Sequence, residues 1–276
     1  MERPIRILVS ACLLGDEVRY DGGHKRDEFL VSTLGRFVEW VRVCPEHDCG
    51  MPIPRESMRL VGNADAPRLV TSRTGRDLTE QMTTFATRRL EELADVDLCG
   101  YICKKDSPSS GMERVKVYPS DKGIPSKTGA GIFTRMFMQR FPLIPVEEEG
   151  RLNDPLLREM FVERVFCLRR YRDMLADGYD IGRLVEFHTR HKMLLLSHSR
   201  THYDAMGRLV AHARELPVTE LFDRYQAEFM AALAHKTTPK RVADVLLHML
   251  GHLKKVLDAT DKQEMLTLID RYRQGL

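Results

Sequence analysis

The 276-residue chain has no apolar run approaching the roughly 18 residues of a membrane-spanning helix, no internal repeat and no low-complexity tract. Its 13 prolines and 18 glycines are dispersed, which excludes collagenous and disordered chains. Met1-Glu2-Arg3-Pro4-Ile5-Arg6 lacks the apolar core of a secretory signal, so the expectation is a soluble, cytoplasmic protein with no membrane partner. No Cys-x-x-Cys pair occurs, which removes the zinc-ribbon and ferredoxin patterns. A charge bias is missing too: 43 basic against 40 acidic side chains give a net charge of +3, too little to signal nucleic-acid binding by itself.

The composition, 43% hydrophobic and 30% charged, is that of a globular protein, and the length suits two domains of about 100–200 residues each. The first 150 residues alternate strand-like and helix-like stretches. Ile5–Ser10 is a β-branched run that breaks at Ala11-Cys12-Leu13-Leu14-Gly15. Phe37–Val43 stops at Cys44-Pro45-Glu46, where proline forbids an inner strand. Val96–Cys103 runs into Lys104-Lys105-Asp106-Ser107-Pro108-Ser109-Ser110-Gly111, and Leu78, Met82, Phe85, Ala86, Leu90 and Leu93 before it fall at helical spacing. This predicts an α/β domain over 1–150 with a Rossmann-like, three-layer parallel sheet. From Arg151 amphipathic patterns predict helices near 155–175, 181–197, 200–214, 217–235, 238–257 and 261–273, an all-α domain over 151–276. Its end at Arg271-Tyr272-Arg273-Gln274-Gly275-Leu276 shows no capping or tail sequence and reads as a C-terminal truncation.

Each of the three predicted strands delivers a cysteine at or just beyond its carboxyl end: Cys12, Cys44 and Cys103. In an open parallel sheet these ends converge on one crevice. Three thiolates there suit a soft metal or an iron–sulfur cluster, while three small buried residues capping strands is the plainer account. The loops add Arg19-Tyr20-Asp21-Gly22-Gly23-His24, then Glu46, then Ser107, Ser109 and Ser110 beside Gly111. A carboxylate can activate water, and hydroxyls on a glycine-containing loop can bind a polar heterocycle. Tyr20, Asp21 and His24 are substrate-lining candidates, although Tyr20-Asp21-Gly22-Gly23 is also an ordinary turn sequence. Arg55 and Arg59 are either anion ligands or exposed arginines. Thr71-Ser72-Arg73-Thr74-Gly75 is a weak anion-binding candidate.

Ile7-Leu8-Val9-Ser10-Ala11-Cys12-Leu13-Leu14-Gly15 with Arg19-Tyr20-Asp21-Gly22, then Val43-Cys44-Pro45-Glu46, then Ser107-Pro108-Ser109-Ser110-Gly111 resembles the ordered motif set of the TudS-like thiouracil desulfurases. Gly111–Tyr118 and Phe187-His188-Thr189-Arg190-His191-Lys192 resemble the YbgA-like bacterial proteins, which join that domain to a helical domain of unknown function. The resemblance implies a [4Fe–4S] cluster on three cysteines that removes sulfur from a thiolated pyrimidine without net redox change. Glu46 would handle the incoming water and Ser107 would assist by hydrogen bonding; Tyr20, Asp21, Ser109 and Ser110 remain the substrate-side candidates among the loop residues themselves.

One position departs from the family pattern: Ser110 stands where a Ser-Pro-Ser-Cys-Gly motif carries the third cysteine. Either Cys103 takes over as ligand, the reading adopted for the set Cys12, Cys44 and Cys103, or Ser110 completes a loose site, or the cluster is lost. Cys49 and Cys99 are weaker substitutes, Cys99 being expected to share a strand face with Cys103 but lie deeper. The alternatives to a desulfurase are a different cysteine-ligated metal hydrolase and a degenerate scaffold that binds protein or nucleic acid.

The predicted helical domain is mildly basic and holds eight of the ten histidines, so a tRNA contact belongs there if anywhere. His188, His191, His198 and His202 would share one stripe if their helix ran unbroken. With no carboxylate interleaved, packing between helices is the preferred account over metal binding, and the same holds for His248 and His252, which lack the Glu of an His-Glu-x-x-His pattern.

Overall fold

The structure, a computed structural model, describes residues 3–120, 123–253 and 255–276. The strands are β1 (Arg6–Ser10), β2 (Glu39–Val43), β3 (Met58–Val61), β4 (Arg68–Thr71), β5 (Leu98–Cys103), β6 (Val115–Tyr118), β7 (Ser126–Gly129) and β8 (Val146–Glu148). The helices are α1 (Pro45–Asp48), α2 (Thr79–Ala94), α3 (Ile132–Arg140), α4 (Pro155–Met174), α5 (Ile181–His198), α6 (Arg200–Ala211), α7 (Val218–Ala234), α8 (Pro239–Leu253) and α9 (Ala259–Gln274). The chain divides into two compact units, Met1–Arg169 and Arg170–Leu276, with the division inside α4.

The first unit is built on a parallel sheet of order β2-β1-β5-β8. Ile7, Leu8 and Val9 are consecutive and all fully buried, because helices cover both faces of this sheet. On one face Ile7, Val9 and Ile102 pack against Phe161 and Val165 of α4. Gly100 permits the approach, since a Cβ there would stand 2.9 Å from the Val165 side chain. On the other face Tyr101 meets Phe133 and Phe137 of α3, and Phe133 in turn meets Phe85 of α2.

A second sheet, β4-β3-β6-β7, mixes parallel and antiparallel pairs and was not expected from the sequence. Its four strands are four residues each and Ser126-Lys127-Thr128 is exposed, so only Val115-Lys116-Val117 of β6 alternates buried and exposed, too short a pattern to announce a sheet.

The pairing of β1 with β5 shifts between Arg6 and Ile7, which face Leu98 and Gly100 and leave Cys99 out of register. This bulge corrects the expectation for Cys99. Its thiol joins the Ile7–Phe161 cluster, whereas Cys103 keeps the alternation of Tyr101 and lies on the opposite face.

In the second unit the helical periodicities fold as expected. Tyr171, Phe187, Tyr225 and Phe229 form an aromatic core, with the Tyr171 hydroxyl donating to the Phe222 carbonyl at 2.7 Å. The histidine stripe does not run unbroken. Ser199 ends α5 and caps α6, its hydroxyl accepting the His202 N–H, so His202 starts a new helix axis. At α9, Gly275 takes φ 81° and its N–H reaches the Arg271 and Tyr272 carbonyls, a helix cap the sequence reading overlooked. No helix among the described residues is long and apolar enough to cross a membrane.

Candidate active site

A cavity of about 410 Å³ opens at the carboxyl ends of β1, β2 and β5. In a sheet whose chain path runs outward from β1 in both directions, this is where ligands bind. Three loops line it: Ser10–Cys12 after β1, Val43–Glu46 after β2, and Lys104–Ser110 after β5. Arg19, Tyr20, Lys25 and Arg55 also line it, with Val18, Ser57 and Met58. The register Ser10↔Val43 sets the first two loops side by side, and the Ser10 hydroxyl accepts the Lys104 N–H at 3.0 Å, tying in the third.

Pro45 starts α1 at the position where its missing N–H costs nothing, and this turn aims Glu46 into the cavity. Both carboxylate oxygens are held. Arg55 donates to Oε2 through Nε at 2.9 Å and through Nη2, while the Ser109 hydroxyl donates to Oε1 at 2.8 Å. The pair is well buried, at 5% exposure for the Arg55 side chain and 13% for Glu46. Arg55 also donates to the Val18 carbonyl at 3.0 Å. It is therefore neither an exposed arginine nor a free anion ligand, but the partner of Glu46. Its nine-residue separation from Glu46 gave no sequence signal for that pairing.

The serine loop is wound tightly. Ser107 Oγ accepts the N–H groups of Ser109 and Ser110 at 3.3 and 3.2 Å and lies 2.9 Å from Ser109 Oγ, so Ser107, Ser109 and Glu46 form one chain of hydrogen bonds. The start of α3 holds the loop from behind. Gly131 N–H donates to Gly111, Phe133 N–H to Ser109, and Thr134 Oγ1 to Ser110. A Cβ on Gly131 would lie 2.5 Å from backbone atoms of Ser109 and Ser110, contacts that no side-chain rotation relieves. Gly131→Ala is expected to destabilise the protein by about 1–3 kcal/mol, the usual range for overpacking. Denaturant unfolding checks it, and an unchanged midpoint would contradict this clamp.

Two of the three expected thiols face the cavity. Cys12 and Cys44 line it and are close enough that a charge on Cys44 acts on Cys12. Burial first, then Cys44, pushes the Cys12 thiol up to about 11, and burial raises Cys44 as well, so both are protonated at neutral pH and would release protons on binding a metal. Cys103 is not part of this wall. As the last residue of β5 its side chain follows the pleat into the interior, where it is fully buried and donates to the Glu147 carbonyl at 3.5 Å. Burial and the carboxylates of Glu148, Glu149 and Glu147 hold that thiol well above its ordinary range. Ser110, at the family's third position, does line the cavity. Cys49 donates to the Glu46 carbonyl at 3.2 Å and lies outside the lining. Among the described residues no group of three His, Cys, Asp or Glu is arranged to hold a metal ion.

The remaining candidates separate cleanly. Tyr20 lines the cavity, whereas Asp21 lies outside its lining and serves the turn, accepting the Gly23 N–H at 3.1 Å. That hydrogen bond lowers the Asp21 carboxyl from its ordinary value. His24 accepts the Arg26 N–H, and Arg59 sits over the Tyr118 ring. The Thr71–Gly75 loop does bind a carboxylate, the protein's own Glu56, through the Arg73 and Thr74 N–H groups and the Thr74 hydroxyl. In the second unit His188 meets the Tyr225 hydroxyl at 3.2 Å, and His191 meets the Phe187 carbonyl at 2.8 Å while stacking on the Phe187 ring, both packing roles. His248 and His252 stand edge to face, 5.0 Å between ring centres.

The comparisons with known proteins follow the same division. The 2-thiouracil desulfurase family model matches residues 7–149, and that of a protein family of unknown function, DUF1722, matches residues 192–276. The uncharacterized protein YbgA of Escherichia coli (strain K12) is 29% identical over 113 residues, 41% of this chain and 67% of that one. The uncharacterized protein YbbK of Bacillus subtilis (strain 168) is 30% identical over 155 residues, 54% of this chain and 99% of that one. Among solved structures, the [4Fe–4S]-dependent thiouracil desulfidase TudS is 30% identical, with a TM-score of 0.45, over 54% of this chain and 94% of that one. The chain belongs to the 2-thiouracil desulfurase family through its α/β region and joins that region to a helical DUF1722 segment.

Proposed function

We propose that the cavity binds a thiolated pyrimidine and exchanges its exocyclic sulfur for the oxygen of water. The observation that carries this reading is the Glu46 carboxylate, fixed at both oxygens by Arg55 and Ser109 inside a cavity that also presents the Cys12 and Cys44 thiols.

The chemistry balances as hydrolysis. Glu46 accepts one proton from water as the water oxygen bonds to the carbon that bears sulfur, the second proton of that oxygen passes to the sulfur, and the carbon–sulfur bond breaks to leave a carbonyl and hydrosulfide, which takes the first proton back from Glu46 as hydrogen sulfide. Ser107 and Ser109 sit on the hydrogen-bond chain that ends at Glu46 and orient the heterocycle and the water. Lys25 in the lining offsets the negative charge that develops on the departing sulfur, whereas Lys104 is paired with Glu149 and Arg19 with Asp21. Tyr20 supplies an aromatic wall.

The family resemblance implies a cluster on three thiolates, and the residues here do not complete that set. The cavity offers two thiols and the Ser110 hydroxyl, a hard donor where thiolate is preferred, and Cys103 is turned away. No step is therefore assigned to a cluster.

The test is incubation of the anaerobically purified protein with 2-thiouracil, following uracil and hydrogen sulfide. Equimolar release of both supports the reading. Failure of the wild type and of Ser110→Cys alike to bind or convert 2-thiouracil would overturn it.

A further inference from the structure

We propose that His202 and His235, backed by Glu228, form a binding site for a divalent metal ion of the zinc class in the second unit. His202 lies in the first turn of α6, and His235 is the residue that ends α7. Their Nε2 atoms face each other at 3.1 Å. Glu228, on α7, places Oε2 2.6 Å from the other ring nitrogen of His202, Nδ1.

The proton assignment follows from these contacts. A carboxylate only accepts, so Nδ1 of His202 carries the hydrogen and its Nε2 presents a lone pair toward His235. A carboxylate behind a histidine is the arrangement that fixes ring orientation and raises basicity in metal sites. His235 is fixed in its turn, its carbonyl lying 2.7 Å from Nδ1 of His198.

The spacing is suitable. An ion at a zinc–nitrogen bond length of about 2.0–2.1 Å from both nitrogens would see them at an angle of about 100°, between octahedral and tetrahedral values. Imidazole nitrogens select zinc, copper or nickel over magnesium and calcium. Two protein ligands leave positions for water, so the site links α6 to α7 and keeps its outer side open. Without an ion, the same two rings share a single hydrogen bond, and this is the outcome that opposes the proposal.

The experiment is calorimetric titration of Zn²⁺ into the chelator-stripped full chain, comparing wild type with His202→Ala, His235→Ala, Glu228→Gln and His248→Ala. Zinc taken by the thiols of the first unit appears in every titration and cancels in the comparison. His202→Ala and His235→Ala are each expected to lose one equivalent and the zinc-induced rise in melting temperature of this site. Glu228→Gln keeps the equivalent but binds about 10–100-fold more weakly. His248→Ala binds as wild type does. An equal number of zinc ions in the wild type and both alanine variants, or loss of the equivalent with His248, overturns the proposal. If the alanine variants do not fold, Glu228→Gln decides: a weakened equivalent supports the site, and unchanged zinc affinity overturns it.

Discussion

Ser110→Cys is expected to convert this chain from a poor iron binder into one that holds about four irons with matching sulfide after anaerobic reconstitution. The substitution exchanges one small side-chain atom for another at a position already in the cavity wall beside Cys12 and Cys44. The backbone there has little freedom to move, because the Ser110 N–H is given to Ser107 and its carbonyl is taken by Thr134. Cys103→Ala should leave iron content unchanged in both backgrounds, since that thiol faces the interior and the Glu147 carbonyl. Iron and acid-labile sulfide per chain decide the matter. A wild type already loaded with iron that Cys103→Ala strips would show that the third ligand comes from β5 after all, and the cavity as described would be wrong.

The second large effect concerns the buried ion pair. Glu46→Gln should lower desulfuration by about 10²–10⁴-fold, the usual contribution of a positioned proton acceptor, while the folded state persists because the amide oxygen still accepts from Arg55 and the amide NH2 can donate to the Ser109 hydroxyl. Arg55→Ala acts differently. It leaves the Glu46 carboxylate in a buried cavity with only the Ser109 hydroxyl, and removal of one partner from a buried pair costs about 3–5 kcal/mol. Arg55→Lys should not restore it, because one ammonium cannot meet Oε2 and the Val18 carbonyl in the geometry of the planar guanidinium. Urea unfolding of the three variants separates the two roles. A midpoint for Arg55→Ala equal to that of the wild type would mean that the pair is not structural, and full turnover in Glu46→Gln would remove Glu46 from the chemistry.

The Ser110 position stands in a contiguous motif, Ser107-Pro108-Ser109-Ser110-Gly111, and its loop is made by bonds between neighbours in sequence, so the residues themselves announce it. Arg55 reaches Glu46 across a turn, through a loop with no periodicity, and nothing local distinguishes it from the solvated arginines elsewhere in the chain.

What the sequence determined by itself is the class of the fold and the address of the site. The apolar runs at β1 and β5 are dense because both faces of the sheet are covered, and the helical periodicities after Arg151 are strong because each helix buries one stripe. Tertiary structure decided direction and partnership. Cys12 and Cys44 lie beyond strand ends, where loops turn them into the crevice, while Cys103 is still inside its strand and the pleat sends it to the other side. The bulge at Cys99 moved that thiol to the opposite face from Cys103, and the cap at Ser199 broke a histidine stripe that looked continuous. Each of these depends on register or on a contact between residues distant in sequence, quantities that a linear pattern of residue types does not contain.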